Sequence, residues 1–385
     1  AQPFQRAPVR HGSTVRRSED ESHPKAPTGR GPVASGHDAT GLRAALLRRM
    51  YGTYDKIRIP IHGEVTPIRT LLLSPGRRAG SEGRLMMAAR MDLLRDLCLA
   101  PGPTGFEAAV QEVVRRRLDR LGDTEGDPLG NLWLTIGPET GPLVAVAAHA
   151  DQIGLIVTHV DEQGFLSVAP IGGVAPLLVP GRRFVVHGRG GAVPAVGGRK
   201  PSHIIPVEER RTASDWPEQF LDIGAAGREA ALERVAVGDP VTFAPDFVEL
   251  APGIVAAQAL DDRAGLYTMI RALELYAEQP GAARLMGLST VHEETTFMGA
   301  KALARRLRPD VILVVDGDFC SDTPAASAKE LGGEVRLGAG PVVSRGAGGH
   351  ERLAVWAQEA AAAEGLPVQV KAYGGETETD ADELM

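Results

Sequence analysis

His149 and Asp151 flank one alanine, Asp261 and Asp262 are adjacent, Glu293 and Glu294 are adjacent, and Asp316 ends an apolar run. Imidazole and carboxylate together suit zinc, cobalt or manganese. A carboxylate with two oxygens can bridge a pair of ions about 3.5 to 4 Å apart, and a water shared by the pair becomes hydroxide near neutral pH. Of two neighbouring glutamates, one can then bind metal while the other takes the proton from that water and later hands it to a leaving amine. Cys98 and Cys320 are the only cysteines, which excludes a thiolate metal site, a zinc finger and a disulfide framework, and fits a reducing compartment.

Each of these residues also has an ordinary reading. An aspartate at a helix start caps it, paired glutamates are commonly solvated, and a single histidine is commonly structural. Their places in the chain separate the two readings. Apolar runs over residues 143–148, 285–291 and 311–315 lead into His149, into His292 and Glu293, and into Asp316 respectively, and such short runs predict buried strands. In an open α/β sheet, functional groups gather just beyond the carboxyl ends of the strands. Helical spacing recurs at Phe106, Val110, Val113, Val114 and Leu118 behind the turn Pro101-Gly102-Pro103, at Leu266, Met269, Ile270 and Leu273, and at Ala300, Leu303 and Leu307. Strand and helix alternate, which predicts an α/β sheet. Residues 158–252 differ, being rich in Gly, Val and Pro with short alternating runs at 184–187 and 241–243 and one helical stretch at 228–234, so they predict an inserted all-β module.

The 385 residues suffice for a large core and a smaller module, and 43% hydrophobic with 24% charged residues is the balance of a soluble globular protein. No apolar stretch reaches the roughly 18 residues of a membrane span, and no signal-peptide order opens the chain, so a cytoplasmic location is expected. The net charge of -7 hides a boundary: residues 1–85 carry 15 Lys and Arg against 7 Asp and Glu, a surplus of 8 that leaves -15 for the remainder. This Arg-, Pro- and Gly-rich leader reads as disordered, and without interleaved aromatics it does not point to nucleic acid. Met86, Met87 or Met91 is an expected start, and Glu19, Asp20 and Glu21 argue against a transit peptide. The expected organisation is therefore a basic leader over 1–85, a catalytic α/β domain over 86–157 and 253–385, and the β insert over 158–252.

The order His149-Ala150-Asp151-Gln152-Ile153-Gly154, then Ala259-Leu260-Asp261-Asp262-Arg263-Ala264-Gly265, then His292-Glu293-Glu294 ahead of Met298-Gly299-Ala300, then Val315-Asp316, resembles metallopeptidase family 42. These are the glutamyl, deblocking and tetrahedral aminopeptidases, some of them labelled endoglucanases. The likeness runs nearly unbroken from Met91 to Met385. It implies a zinc-peptidase-like α/β/α catalytic domain with an inserted small β-barrel-like domain that mediates assembly, commonly into twelve-subunit shells. It implies an aminopeptidase acting on peptides with two divalent ions: His149 and Asp316 on one, Glu294 on the other, Asp261 bridging. Glu293 would be the general base, and Asp151 would orient the His149 ring. The family's chains run some tens of residues past the Gly374-Gly375 and Thr379-Asp380-Ala381 segments and there supply a last histidine ligand, whereas this chain ends at Met385. His350, ahead of a helical stretch, is not expected to replace it, and His187, His203 and His292 are expected to be structural or to line a pocket. Two alternatives stand beside this reading, an assembling but silent paralogue and a glycosidase with two carboxylates across a sugar site.

Overall fold

The computed structural model describes residues 91–205, 215–324 and 326–384, so the leader expected over 1–85 lies outside the described residues. Helix α1 (Ala108–Leu118) is followed by strands β1 (Glu125–Gly126), β2 (Leu132–Ile136) and β3 (Leu143–His149). The apolar spacing read as helical does its work in α1, where Val110, Val114 and Leu118 are fully buried, although Phe106 precedes the helix and stays exposed.

The chain then leaves the sheet. Strands β4 (Gly154–Val160), β5 (Leu166–Ile171), β6 (Arg183–Gly188), β7 (Gly191–Gly198), β8 (Phe220–Asp222) and β9 (Pro240–Phe243) close into a barrel in the order β4-β5-β8-β7-β6-β9. Alternation along each strand fills it: Phe184 and Val186 point inward opposite Phe243 and Val241, and the two phenylalanine rings stand 4.9 Å apart. Helix α2 (Arg228–Leu232) supplies buried Ala231 to the same core. A hairpin of β10 (Phe247–Ala251) and β11 (Ile254–Ala257) follows, paired only with itself.

The sheet resumes with helix α3 (Leu260–Glu278), strand β12 (Arg284–Thr290), the four-residue helix α4 (Glu293–Thr296), helix α5 (Met298–Arg306) and strand β13 (Val311–Val314). Strand order is β1-β2-β12-β3-β13, with β3 parallel to both β12 and β13 and β2 antiparallel to β12. Side chains on strands alternate between faces, and both faces are covered. Val146, Ala148, Leu132 and Leu134 pack with α1 and α3, while Leu143, Ala145, Ala147 and Trp133 pack with Ala300 and Leu303 of α5. The result is a mixed α/β fold, as the alternating runs predict. Gly287 on β12 is what lets α3 lie so close, since a β-carbon there would stand 2.4 Å from Leu273 Cδ1 and 2.6 Å from Met269 Sδ.

Beyond β13 come α6 (Ala328–Leu331), β14 (Val342–Gly346), α7 (Glu351–Ala363), β15 (Gln369–Tyr373) and α8 (Ala381–Leu384). Strands β14 and β15 form a separate parallel pair. Leu384 of α8 returns to the main sheet and joins the core under α5.

Candidate metal centre

Parallel pairing of β3, β12 and β13 sets their carboxyl ends side by side, with Thr290 in register with His149. His149 Nε2 lies 3.1 Å from Asp261 Oδ1, 3.8 Å from Glu293 Oε2 and 3.9 Å from Asp316 Oδ1. Ligand atoms of His149, Asp261 and Glu294 lie within 4.8 Å of one another, as do those of His149, Asp262 and Asp316. All six residues singled out for chemistry, His149, Asp151, Asp261, Glu293, Glu294 and Asp316, therefore meet in one place.

Local backbone explains how two adjacent aspartates take different directions. Asp261 and Asp262 are not helical, and they are joined by a cis peptide bond. Asp262 is fully buried; its Oδ1 accepts the Gly265 N–H at 2.9 Å and its Oδ2 the His149 N–H at 3.3 Å. The capping bond thus belongs to Asp262, three residues ahead of its donor, and Asp261 is left to face the His149 ring. With both Asp262 oxygens engaged, Asp261 is the better donor to an ion.

Asp151 is fully buried and holds three donors: Thr104 Oγ1 at 2.7 Å, and the N–H groups of Glu293 and Glu294 at 3.0 and 3.1 Å. His149 Nδ1 stands 3.5 Å from Asp151 Oδ1, close enough for attraction between the charges but without a formed hydrogen bond. Arg263, also fully buried, donates to the Leu97 carbonyl and to Gln152 Oε1, a cation beneath the acidic cluster.

Electrostatics here is that of too many carboxyls round one imidazole. Burial, reinforced by Asp316, Asp380 and Glu294, pushes Glu293 up to about 8. Burial likewise raises Glu294 to about 7, Asp316 to about 7 and the deeply buried Asp380 to about 6. Burial works against the His149 cation, but the nearby Asp151 carboxylate and the hydrogen bond to Asp261 outweigh it and raise that group well above the usual histidine range. The His149 contact holds Asp261 below the ordinary carboxylate value. A divalent cation relieves this repulsion, and one imidazole with several convergent carboxylates is a donor set that fits such an ion.

The remaining histidines lie elsewhere or act otherwise. His187 is half-buried on barrel strand β6, on the face opposite Phe184 and Val186, against Thr242 Oγ1 at 3.0 Å, and His350 is the residue ahead of α7. His292 sits in the turn before Glu293 with a left-handed backbone, φ 60°. Sequence reasoning missed Thr104 and Glu107, whose loop it took only for a turn before α1, and Asp380, whose carboxyl meets the Thr290 hydroxyl. A buried acid just after a Pro-Gly turn was the one signal available for Glu107.

A sequence profile of the family described as M42 glutamyl aminopeptidase matches residues 130–385. The lysyl aminopeptidase of Pyrococcus furiosus is 32% identical over 298 residues, covering 76% of this chain and 84% of the relative. The putative aminopeptidase FrvX of Escherichia coli is 31% identical over 254 residues, covering 65% and 70%. Among solved structures, the TET aminopeptidase of a marine sediment Thaumarchaeota archaeon superposes with a TM-score of 0.72 at 28% identity, over 78% of this chain and 85% of the other. The TET1 peptidase of Pyrococcus horikoshii, which can assemble into a tetrahedron or a large octahedral shell, gives 0.67 at 29% identity over 76% and 87%. Among the described residues no helix is long and apolar enough to cross a membrane.

Proposed function

Because the chain belongs to the M42 glutamyl aminopeptidase family, we propose that it is a cytoplasmic aminopeptidase that removes the amino-terminal residue of peptides, using two divalent ions on a zinc-peptidase-like α/β/α domain. The convergence of His149, Asp261, Glu294 and Asp316 at three strand ends is the observation that carries the reading. His149 and Asp316 would hold one ion, Glu294 the other, and Asp261 both. Bound there, zinc, cobalt or manganese would polarise the scissile carbonyl and neutralise the charge that develops on its oxygen.

The protein's own groups do the rest. Glu293 is the general base: 8% exposed and 3.8 Å from His149 Nε2, it stands beside the metal ligands, where it would take a proton from the attacking water and return it to the leaving amine. Asp151 Oδ1 faces the His149 ring and accepts the Glu293 N–H while Oδ2 accepts the Glu294 N–H, so a single carboxylate would set ligand and base together. The α/β elements on either side of the barrel would form the catalytic domain, and the insert, expected over 158–252 and entered already at Gly154 with β4, would mediate assembly of a homo-oligomer.

With zinc, cobalt or manganese added, the purified chain should release p-nitroaniline from aminoacyl p-nitroanilides and stop on chelation. Cleavage of a β-glucan that chelators leave untouched, with no peptide hydrolysis, would sink the proposal in favour of a glycosidase.

A further inference from the structure

The turn that carries Glu293 and Glu294 is held by side chains from distant parts of the chain. Four successive amides donate in this way. Val291 N–H reaches Asn131 Oδ1 at 3.0 Å, His292 N–H reaches Glu107 Oε1 at 3.3 Å, and the next two reach the Asp151 oxygens at 3.0 and 3.1 Å. His292 is the bend itself: its φ of 60° is left-handed, a conformation uncommon for residues with a β-carbon and stabilised here by its surroundings. Glu107 supplies that support. It is 6% exposed, and its Oε1 also accepts the Gly105 N–H at 2.8 Å, which fixes the carboxyl before it meets His292. The same loop grips the other half of the turn, since Thr104 donates through Oγ1 to Asp151 at 2.7 Å and through its N–H to the Gln152 carbonyl at 3.3 Å.

We infer that Glu107 is a positioning residue for Glu293, clamping the left-handed His292 so that the chain leaving β12 turns the Glu293 carboxyl toward His149. Among the described residues no hydrogen bond or ion pair joins Glu107 to the His149 ring or to the acids around it, although its charge is felt at Asp151, so its positioning effect passes through the backbone of residues 292–294. It also lies ahead of residues 130–385, the segment that matches the family profile. The inference rests on the reading of Glu293 as the base.

Two measurements test it together: amide hydrogen exchange over residues 291–296, and kcat and KM on an aminoacyl p-nitroanilide at saturating zinc. Glu107→Ala should speed exchange at 292–294 by about tenfold or more relative to the rest of β12. It should lower kcat by about ten- to a hundredfold with KM within about twofold, because a shift of the base costs the chemical step and not substrate affinity. Glu107→Gln keeps an acceptor oxygen and should restore both. Asparagine tolerates the left-handed region, so Glu107→Ala should cost less when made on His292→Asn than on the wild type. If Glu107→Ala does not fold, Glu107→Met, similar in shape but without the acceptor, takes its place. Unchanged exchange at 292–294, a Gln variant as impaired as the Ala variant, or equal losses in both His292 backgrounds would each overturn the clamp. A wild-type chain that hydrolyses nothing with zinc, cobalt or manganese would instead refute the aminopeptidase reading, and the exchange data would still decide the clamp.

Discussion

The barrel and the open sheet are built from the same apolar residue types, yet they treat ionisable groups in opposite ways. Barrel strands pair all the way round, and their inward side chains, from Leu155 to Val241, form a sealed apolar core. His187 is the one described group on these strands with a shifted proton affinity, lowered by burial, and it is satisfied by Thr242. The open sheet does not seal itself, and its parallel strands β3, β12 and β13 all stop at one edge. There buried Glu293 and half-buried Glu294 and Asp316 crowd together, and their loss of water raises all three. Closure makes a stable module, and an open edge makes a site.

The largest effect that would break this division is at the base. Glu293→Gln should lower kcat by about 10² to 10⁴-fold. Circular dichroism and bound metal should match the wild type, and a variant with near-normal kcat would remove Glu293 from the mechanism.

Next comes the barrel core. Phe184 is 1% exposed, and Phe184→Ala should cost about 3 to 5 kcal/mol in urea unfolding, the range for truncating a buried aromatic. Per folded molecule, kcat should stay within about twofold, whereas a loss in parallel with stability would show that the two regions are one energetic unit.

A third contrast is in pH. For the chelated protein, carboxyls raised from 4.5 to about 7 or 8 bind more protons folded than unfolded, so stability should fall between roughly pH 5 and 8. His149, raised as well, acts in the same direction above 6.5. Thermal melts with chelator should therefore be lower at pH 8 than at pH 6, and added zinc or manganese should close the gap. A flat or rising profile would contradict the charge balance described. The smallest effect is His187, lowered from 6.5: it disfavours the fold as pH falls through that value, so His187→Gln should soften acid unfolding without touching activity.

Much of the molecule can be read from local pattern. Runs ending in a polar residue became β3, β12 and β13, and three-four spacing became α1, α3 and α5, because burial of one face or both leaves a periodic trace. The donor types were equally legible, since they sit where those runs stop. Less legible was which of two adjacent aspartates caps the helix: composition allowed Asp261, and the backbone gave the bond to Asp262.

The sequence by itself determined the family the chain belongs to and supplied the candidate donors, since imidazole and carboxylates placed where apolar runs stop are a matter of residue type and order. Only the tertiary structure decided how the members are held. Glu107 meets His292 across 185 residues, and Asp151 meets Glu293 across 142. A hydrogen bond between such distant residues leaves no periodicity in either stretch, so it becomes visible only when the sheet brings the strand ends together.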